Sequence, residues 1–170
     1  MLKRNFKIGK YILREFSTLP EYLFLFVYKM RNHPKVGRYS FSKRINLQEH
    51  FKFRELLKSS SNRFYWLVLE DKTIIGVISV SIIGNSIKVG LYKNPYNPKA
   101  KGKILLKLLM DIAFILKKRD ILLEVHRENK AAINLYNCFG FKLKKAKYLN
   151  GKFVIYVKNL KPYSTQQYCA

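Results

Sequence analysis

Between Ile121 and Phe141 the chain changes its hydrophobic period twice in about twenty residues, from strand to helix and back, and the rest of the chain is organised around that unit. Ile121 to Val125 is an apolar run of strand length interrupted by one carboxylate, Glu124. Glu128 and Asn129 follow as residues that start helices. Ala132, Leu135, Tyr136 and Phe139 then recur at helical spacing until Gly140 ends the helix as a left-handed cap, and Phe141 opens another strand. Asn129 and Tyr136 are separated by two turns of a helix with ~3.6 residues per turn, so an amide and a phenol look over one groove beside the strand that carries Glu124. A plain N-cap at Asn129 and a core aromatic at Tyr136 fit the same pattern, and residue types alone leave both readings open.

The rest of the chain supplies strands before this unit and a hairpin after it. Phe6 to Phe16 reads as a first strand. Pro20 opens a helix that runs to about Arg31, and the chain breaks at Arg31 to Pro34 because proline disfavours helix in the residue before it. A second helix covers roughly Leu47 to Lys58. Arg63 to Glu70, Thr73 to Ile83 and Ser86 to Lys93, joined by tight turns, form an antiparallel meander. A long helix with Ile104, Leu105, Leu108, Ile112 and Ile115 on its apolar face follows Pro95 and Pro98. Asn150 and Gly151 turn Phe141 to Leu149 back onto Phe153 to Asn159. The expectation is a single α/β domain over residues 1–160, with 161–170 as a flexible tail.

Leu123-Glu124-Val125, then Asn129, Ala132, Leu135-Tyr136 and Gly140-Phe141 resemble the carboxyl-terminal half of the GNAT family of N-acetyltransferases. The element order extends that resemblance from about Phe6 to Asn159. It implies a mixed, mostly antiparallel central sheet of about seven strands with four helices, split between the fourth and fifth strands, and acetyl-coenzyme A as cosubstrate with no metal. In such enzymes the Asn holds the pantetheine arm and the Tyr sits by the sulfur as general acid, roles that fall here on Asn129 and Tyr136. Glu124 takes the place of a base acting through water, with a structural carboxylate paired to Lys or Arg as the other reading. Val89, Gly90, Leu91, Tyr92 and Lys93 correspond to the strand that lies along the pantetheine. A main-chain N–H near Leu91 or Tyr92 would polarise the thioester carbonyl, and Gly90 would let the cofactor approach. The pyrophosphate loop falls on Asn97 to Lys103 in degenerate form, with Ala100 and Gly102 on the small positions, Asn97 where a basic residue belongs, and Lys99, Lys101 and Lys103 supplying charge.

A narrower similarity links RNHP at Arg31 to Pro34, the aromatics Tyr39 and Phe41, His50 and the GLYKNP at Gly90 to Pro95 to the bacterial acetyltransferases of pseudaminic acid synthesis, used in flagellin glycosylation. It implies transfer to the 4-amino group of a UDP-linked 4-amino-4,6-dideoxy sugar. Arg31 would serve as a phosphate fork, with His50, Tyr39, Phe41 and Ser79 on the sugar side. The alternatives are a protein amino-terminal acetyltransferase of the ribosomal type and a non-catalytic nucleic-acid binder on the same scaffold.

Charge bears on that choice. The formal net charge of +24, from 34 basic and 10 acidic residues, attracts polyanions such as coenzyme A and nucleotide sugars and repels polyamines. Codon bias with solvated surface lysines accounts for part of the excess. Cys138 and Cys169 show no metal or framework spacing, which suits a reduced, cytoplasmic setting, and His33, His50 and His126 are too scattered for a metal site. The apolar run Tyr22 to Tyr28 is far short of the ~20 residues of a membrane span, so the expectation is a soluble, unprocessed monomer or homodimer with no nucleic-acid or membrane partner.

Overall fold

The structure, a computed structural model, describes residues 5–160 apart from the side chain of residue 147, so the expected tail at 161–170 lies outside the described residues. Eight strands form one sheet in the order β1-β2-β3-β4-β5-β6-β8-β7. Three of them, β3 (Arg63–Glu70), β4 (Thr73–Ile83) and β5 (Ser86–Lys93), are the expected meander with the expected bounds. The expected first strand is instead a hairpin, β1 (Asn5–Ile8) and β2 (Tyr11–Glu15), which makes eight strands rather than seven. Gly9 causes the difference: it sits at φ +55, a left-handed conformation that reverses the chain where the alternating pattern would run straight through.

Helices α1 (Glu21–Asn32) and α3 (Leu47–Ser59) pack on one face of the sheet. Between them Pro34 starts a short helix, α2 (Pro34–Gly37), rather than only ending α1, because the His33 ring accepts the Lys35 N–H at 3.2 Å and caps it. The described helices thus include one more than the four expected. The opposite face carries α4 (Gly102–Ile115) and α5 (Lys130–Cys138), with β6 (Asp120–His126) between them in sequence and β7 (Lys142–Tyr148) and β8 (Phe153–Asn159) after them.

Alternation sorts the side chains between the faces. Trp66, Ile78, Ile87, Val89, Ile121 and Leu123 meet Leu105, Leu109 and Ile112 of α4 in the larger core. On the other face Leu67, Leu69 and Val77 meet Phe24, Val27, Met30 and Leu57. Among the described residues no helix is long and apolar enough to cross a membrane.

The site is positioned by one interruption. β5 and β6 run parallel from Ser86↔Asp120 to Val89↔Leu123, and there the pairing ends although both strands continue. The two strands part between Gly90–Lys93 and Glu124–His126, which is the expected split.

Candidate active site

Two cavities meet at the parting. The first, about 700 Å³, is lined by Leu91, Tyr92 and Lys93 on one strand, Glu124 and His126 on the other, Lys101, Gly102 and Lys103 at the start of α4, and Asn129 and Tyr136 on α5. The second, about 400 Å³, is lined by Arg31, Tyr39, Phe41, Tyr65, Ser79, Val89, Gly90, Phe153 and again Tyr136. Tyr39, Ser40, Leu91, Tyr92, Glu124 and Tyr136 line both, so they are two ends of one passage through the sheet.

Main-chain direction follows from register. The Asn94 N–H donates to the Ile75 carbonyl at 3.0 Å, toward β4. Alternate residues of an antiparallel pair bond the partner, so Gly90 and Tyr92 also face β4, while Leu91 and Lys93 turn N–H and C=O into the gap. Leu91, and not Tyr92, therefore offers the free donor near the middle of the cleft. Gly90 lines the second cavity, and the protein itself also needs the room there. A Cβ there would lie 2.7 Å from Ser79 Oγ, so this glycine makes space for the serine.

At the start of α4 the N-cap Lys101 makes no side-chain cap and the first turn holds no acidic residue, which leaves N–H groups and positive helix-end charge for an anion. Lys101, Gly102 and Lys103 line the cavity, whereas Lys99 and Ala100 do not. The Lys99 N–H is taken by Asn97 Oδ1, and Ala100 is buried. Of the expected loop, the part at Lys101 to Lys103 therefore borders the cavity, and Lys99 and Ala100 do not. These groups suit an acyl-coenzyme A, with main-chain donors along the middle of the passage and an anion-seeking helix end at its mouth.

Asn129 caps α5: its Oδ1 accepts the Ala132 N–H at 3.2 Å. That uses the carbonyl half of the amide and leaves the Nδ2 half without a partner among the described residues, so the cap and ligand readings are compatible. Tyr136 is 6% exposed, and loss of water around it pushes its phenol up to about 12. Its ring packs on Phe141 and Tyr156 while its residue borders both cavities, and the hydroxyl stays protonated at neutral pH.

Glu124 is held by Lys88, Nζ to Oε1 2.8 Å, which is the ion-pair alternative. Its second oxygen, Oε2, is buried without a hydrogen-bond partner among the described residues. Arg31 donates from Nη2 to the Ser42 carbonyl at 2.8 Å, and its Nη1 is likewise buried and unpartnered. Burial lowers the guanidinium's pKa, and an arginine keeps its charge regardless. Phe41 stacks on Phe153 of β8 with ring centroids 4.2 Å apart, and Tyr39 faces His126 at 5.8 Å, so the segment between α2 and α3 bridges the parting.

His50 is a correction. It is 3% exposed, stacked on Phe24 at 3.9 Å, and its Nε2 lies 2.9 Å from the Phe24 carbonyl oxygen. On α3 it occupies the same inward stripe as Leu57, and burial lowers its pKa, so the ring is neutral and serves the core rather than a substrate. Lys88, Tyr65 and Phe153 escaped the sequence reading. Lys88 had a signal, because it alternates with Gly90 and Tyr92 on one face of β5.

The sequence profile of the Acetyltransferase (GNAT) family matches residues 24–141. Acetyltransferase PseH of Campylobacter jejuni strain 81-176 is 36% identical over 126 residues, 73% of this chain and 80% of that protein. The crystal structure of Campylobacter jejuni N-acetyltransferase PseH in complex with acetyl coenzyme A superposes with a TM-score of 0.72 at 26% identity, covering 89% of this chain and 99% of that one. The fold extends to spermidine N-acetyltransferase from Vibrio cholerae, solved with CoA and spermine, with a TM-score of 0.75 at 20% identity over 89% of this chain and 96% of that one. The chain belongs to the GNAT family of acetyltransferases and is an N-acetyltransferase that uses acetyl-coenzyme A.

Proposed function

We propose that the acceptor is a nucleotide-linked amino sugar, with acetyl transferred directly, in a ternary complex, to the 4-amino group of UDP-4-amino-4,6-dideoxy-N-acetyl-β-L-altrosamine. The observation that carries the proposal is a pair of unsatisfied groups of opposite sign in one cavity. Arg31 Nη1 and Glu124 Oε2 are both buried, both without partners among the described residues, and both belong to residues that line the acceptor-side cavity. Leaving buried charged groups unpaired is costly, so the natural occupant answers both: an ammonium for Glu124 and an anionic or carbonyl oxygen for Arg31 on the same molecule. A polyamine would meet Arg31 with like charge, and Glu124 is the only carboxylate lining that cavity among the described residues. Tyr39, Phe41, Tyr65 and Phe153 add flat faces of the kind that cover a sugar or a base. The relatives named PseH and the similarity of RNHP and GLYKNP to the acetyltransferases of pseudaminic acid synthesis support this choice of sugar.

Glu124 Oε2 takes a proton from the acceptor's ammonium, directly or through water, and frees the lone pair that attacks the thioester carbon. The Leu91 N–H donates to the carbonyl oxygen as negative charge gathers there. The Tyr136 hydroxyl donates to the sulfur as the C–S bond breaks. Its raised pKa makes full proton release to a thiolate uphill, so the hydrogen bond matters more than complete transfer.

Thiol release measured with UDP-4-amino sugars, the free sugars, spermidine and peptide amino termini tests the assignment. The UDP-linked sugar is expected to exceed every other amine in kcat/KM by at least about a hundredfold, the size of a few lost charge-assisted contacts. Equal turnover of spermidine or of a peptide would overturn it.

A further inference from the structure

Lys88 is the last side chain on this face of β5 before the strands part, and Glu124 is the first on β6 beyond the parting. The register pairs Lys88 with Leu122, so Glu124 stands one step further along the same face, within reach of the lysine head from outside the cavity. The side chain of Lys88 is 41% exposed and that of Glu124 10%. An ion pair thus spans the exit from the paired region, with Oε1 tied off at 2.8 Å and Oε2 turned inward without a partner.

The remaining polar groups around the cavity do not compete for that carboxylate. Arg31 on α1 turns Nη2 to the Ser42 carbonyl and hydroxyl and makes no ion pair with Glu124, its Nη1 being the buried group without a partner among the described residues. His126, on Glu124's own strand, accepts the Glu128 N–H at its Nδ1, with the Glu128 carboxylate 4.0 Å away. Tyr65 of β3, Tyr92 of β5, Tyr136 of α5 and Tyr39 before α3 contribute phenol side chains and no cation. The lining of β8 near Glu124 is aromatic, through Phe153.

We propose that Lys88 is a positioning residue for acetyl transfer, one that fixes the Glu124 carboxylate and presents a single oxygen, Oε2, to the acceptor's nitrogen. The proposal rests on the placement of the acceptor amine in the Arg31–Glu124 cavity. An ionised carboxylate attracts the ammonium form that predominates in solution, and tying one oxygen removes the rotation that would otherwise be lost when substrate binds. The lysine does not touch substrate.

Lys88→Met removes the positive charge and keeps the length of the stem, and Lys88→Arg restores the charge. The carboxyl carbons of ¹³C-glutamate-labelled protein are followed by NMR against pH without substrate, with the Glu124 signal assigned by Glu124→Gln. Loss of a nearby opposite charge disfavours the carboxylate, so the Glu124 signal is expected to titrate at higher pH in Lys88→Met than in the parent and to return in Lys88→Arg. The acidic limb of kcat/KM should shift by the same amount with whichever acceptor the amine panel selects. KM for the acceptor should rise several-fold, and KM for acetyl-coenzyme A should stay put. An unmoved midpoint overturns the proposal, as does a moved midpoint with an unmoved rate profile. Failure of the UDP-sugar as acceptor would overturn that substrate alone, because the NMR titration needs none.

Discussion

Tyr136 carries its proton throughout the working pH range, since burial has pushed its phenol up to about 12. A basic limb in the rate profile near neutrality must therefore belong to another group. Tyr136→Phe removes one atom that borders both cavities and leaves the ring contacts with Phe141 and Tyr156 in place. Steady-state kinetics are expected to show kcat lower by roughly ten- to a thousandfold with KM for acetyl-coenzyme A little changed, the range for lost acid catalysis. Unchanged turnover would remove the phenol from the mechanism. Residue type alone served unevenly at this scale. Arg31 and His50 looked equivalent as polar residues on consecutive helices. The guanidinium reaches the cavity, whereas the imidazole, flat and largely apolar once neutral, sinks into the layer between α1 and α3.

At the scale of elements, Gly90 and Ser79 show what strand pairing adds. The two residues are cross-strand partners on β5 and β4, and a methyl group at position 90 would sit 2.7 Å from the serine hydroxyl. The obstructing atom is the end of a side chain free to rotate about one bond, so Gly90→Ala is expected to fold with stability within about 1 kcal/mol of the parent. The displaced hydroxyl would then crowd the acceptor cavity, raising KM for the acceptor several-fold, and Ser79→Ala in the same chain should recover it. Thermal melts and acceptor saturation curves measure the two effects separately, and a KM that stays raised in the double variant would contradict the steric account. The helices obeyed their sequence signals in the same local fashion. Asn46 and Glu49 form a reciprocal cap at the start of α3, and Asn129 caps α5. Gly9 was missed because a lone glycine in an alternating run is as compatible with a bulge as with a turn.

For the whole molecule, the net charge is +24 and the expected ligands are both anionic. Long-range attraction raises the encounter rate and is screened within about 10 Å at 0.1 M salt. Raising monovalent salt from 50 to 500 mM is expected to lower kcat/KM for acetyl-coenzyme A several-fold while kcat stays constant, as a stopped-time thiol assay would show. A flat kcat/KM would mean that the charge merely solvates the surface. All the described strands join one sheet, and the cavity lining comes in part from β5, β6 and α5, segments that meet only when the sheet is assembled.

The amino-acid sequence by itself determined what depends on near neighbours. The bounds of β3, β4, β5 and β8, the caps and the stop at Gly140 all follow from period, turn chemistry and propensity within a few residues. The spacing of Asn129 and Tyr136 on α5 was legible for the same reason. Only the tertiary structure decided where β5 and β6 separate, that Leu91 rather than Tyr92 faces the gap, that Lys88 holds Glu124, and that His50 is core. Each of those depends on register or burial between segments remote in the chain, and a one-residue slip in strand register would turn Leu91 and Lys88 to the opposite sides without changing a single local signal.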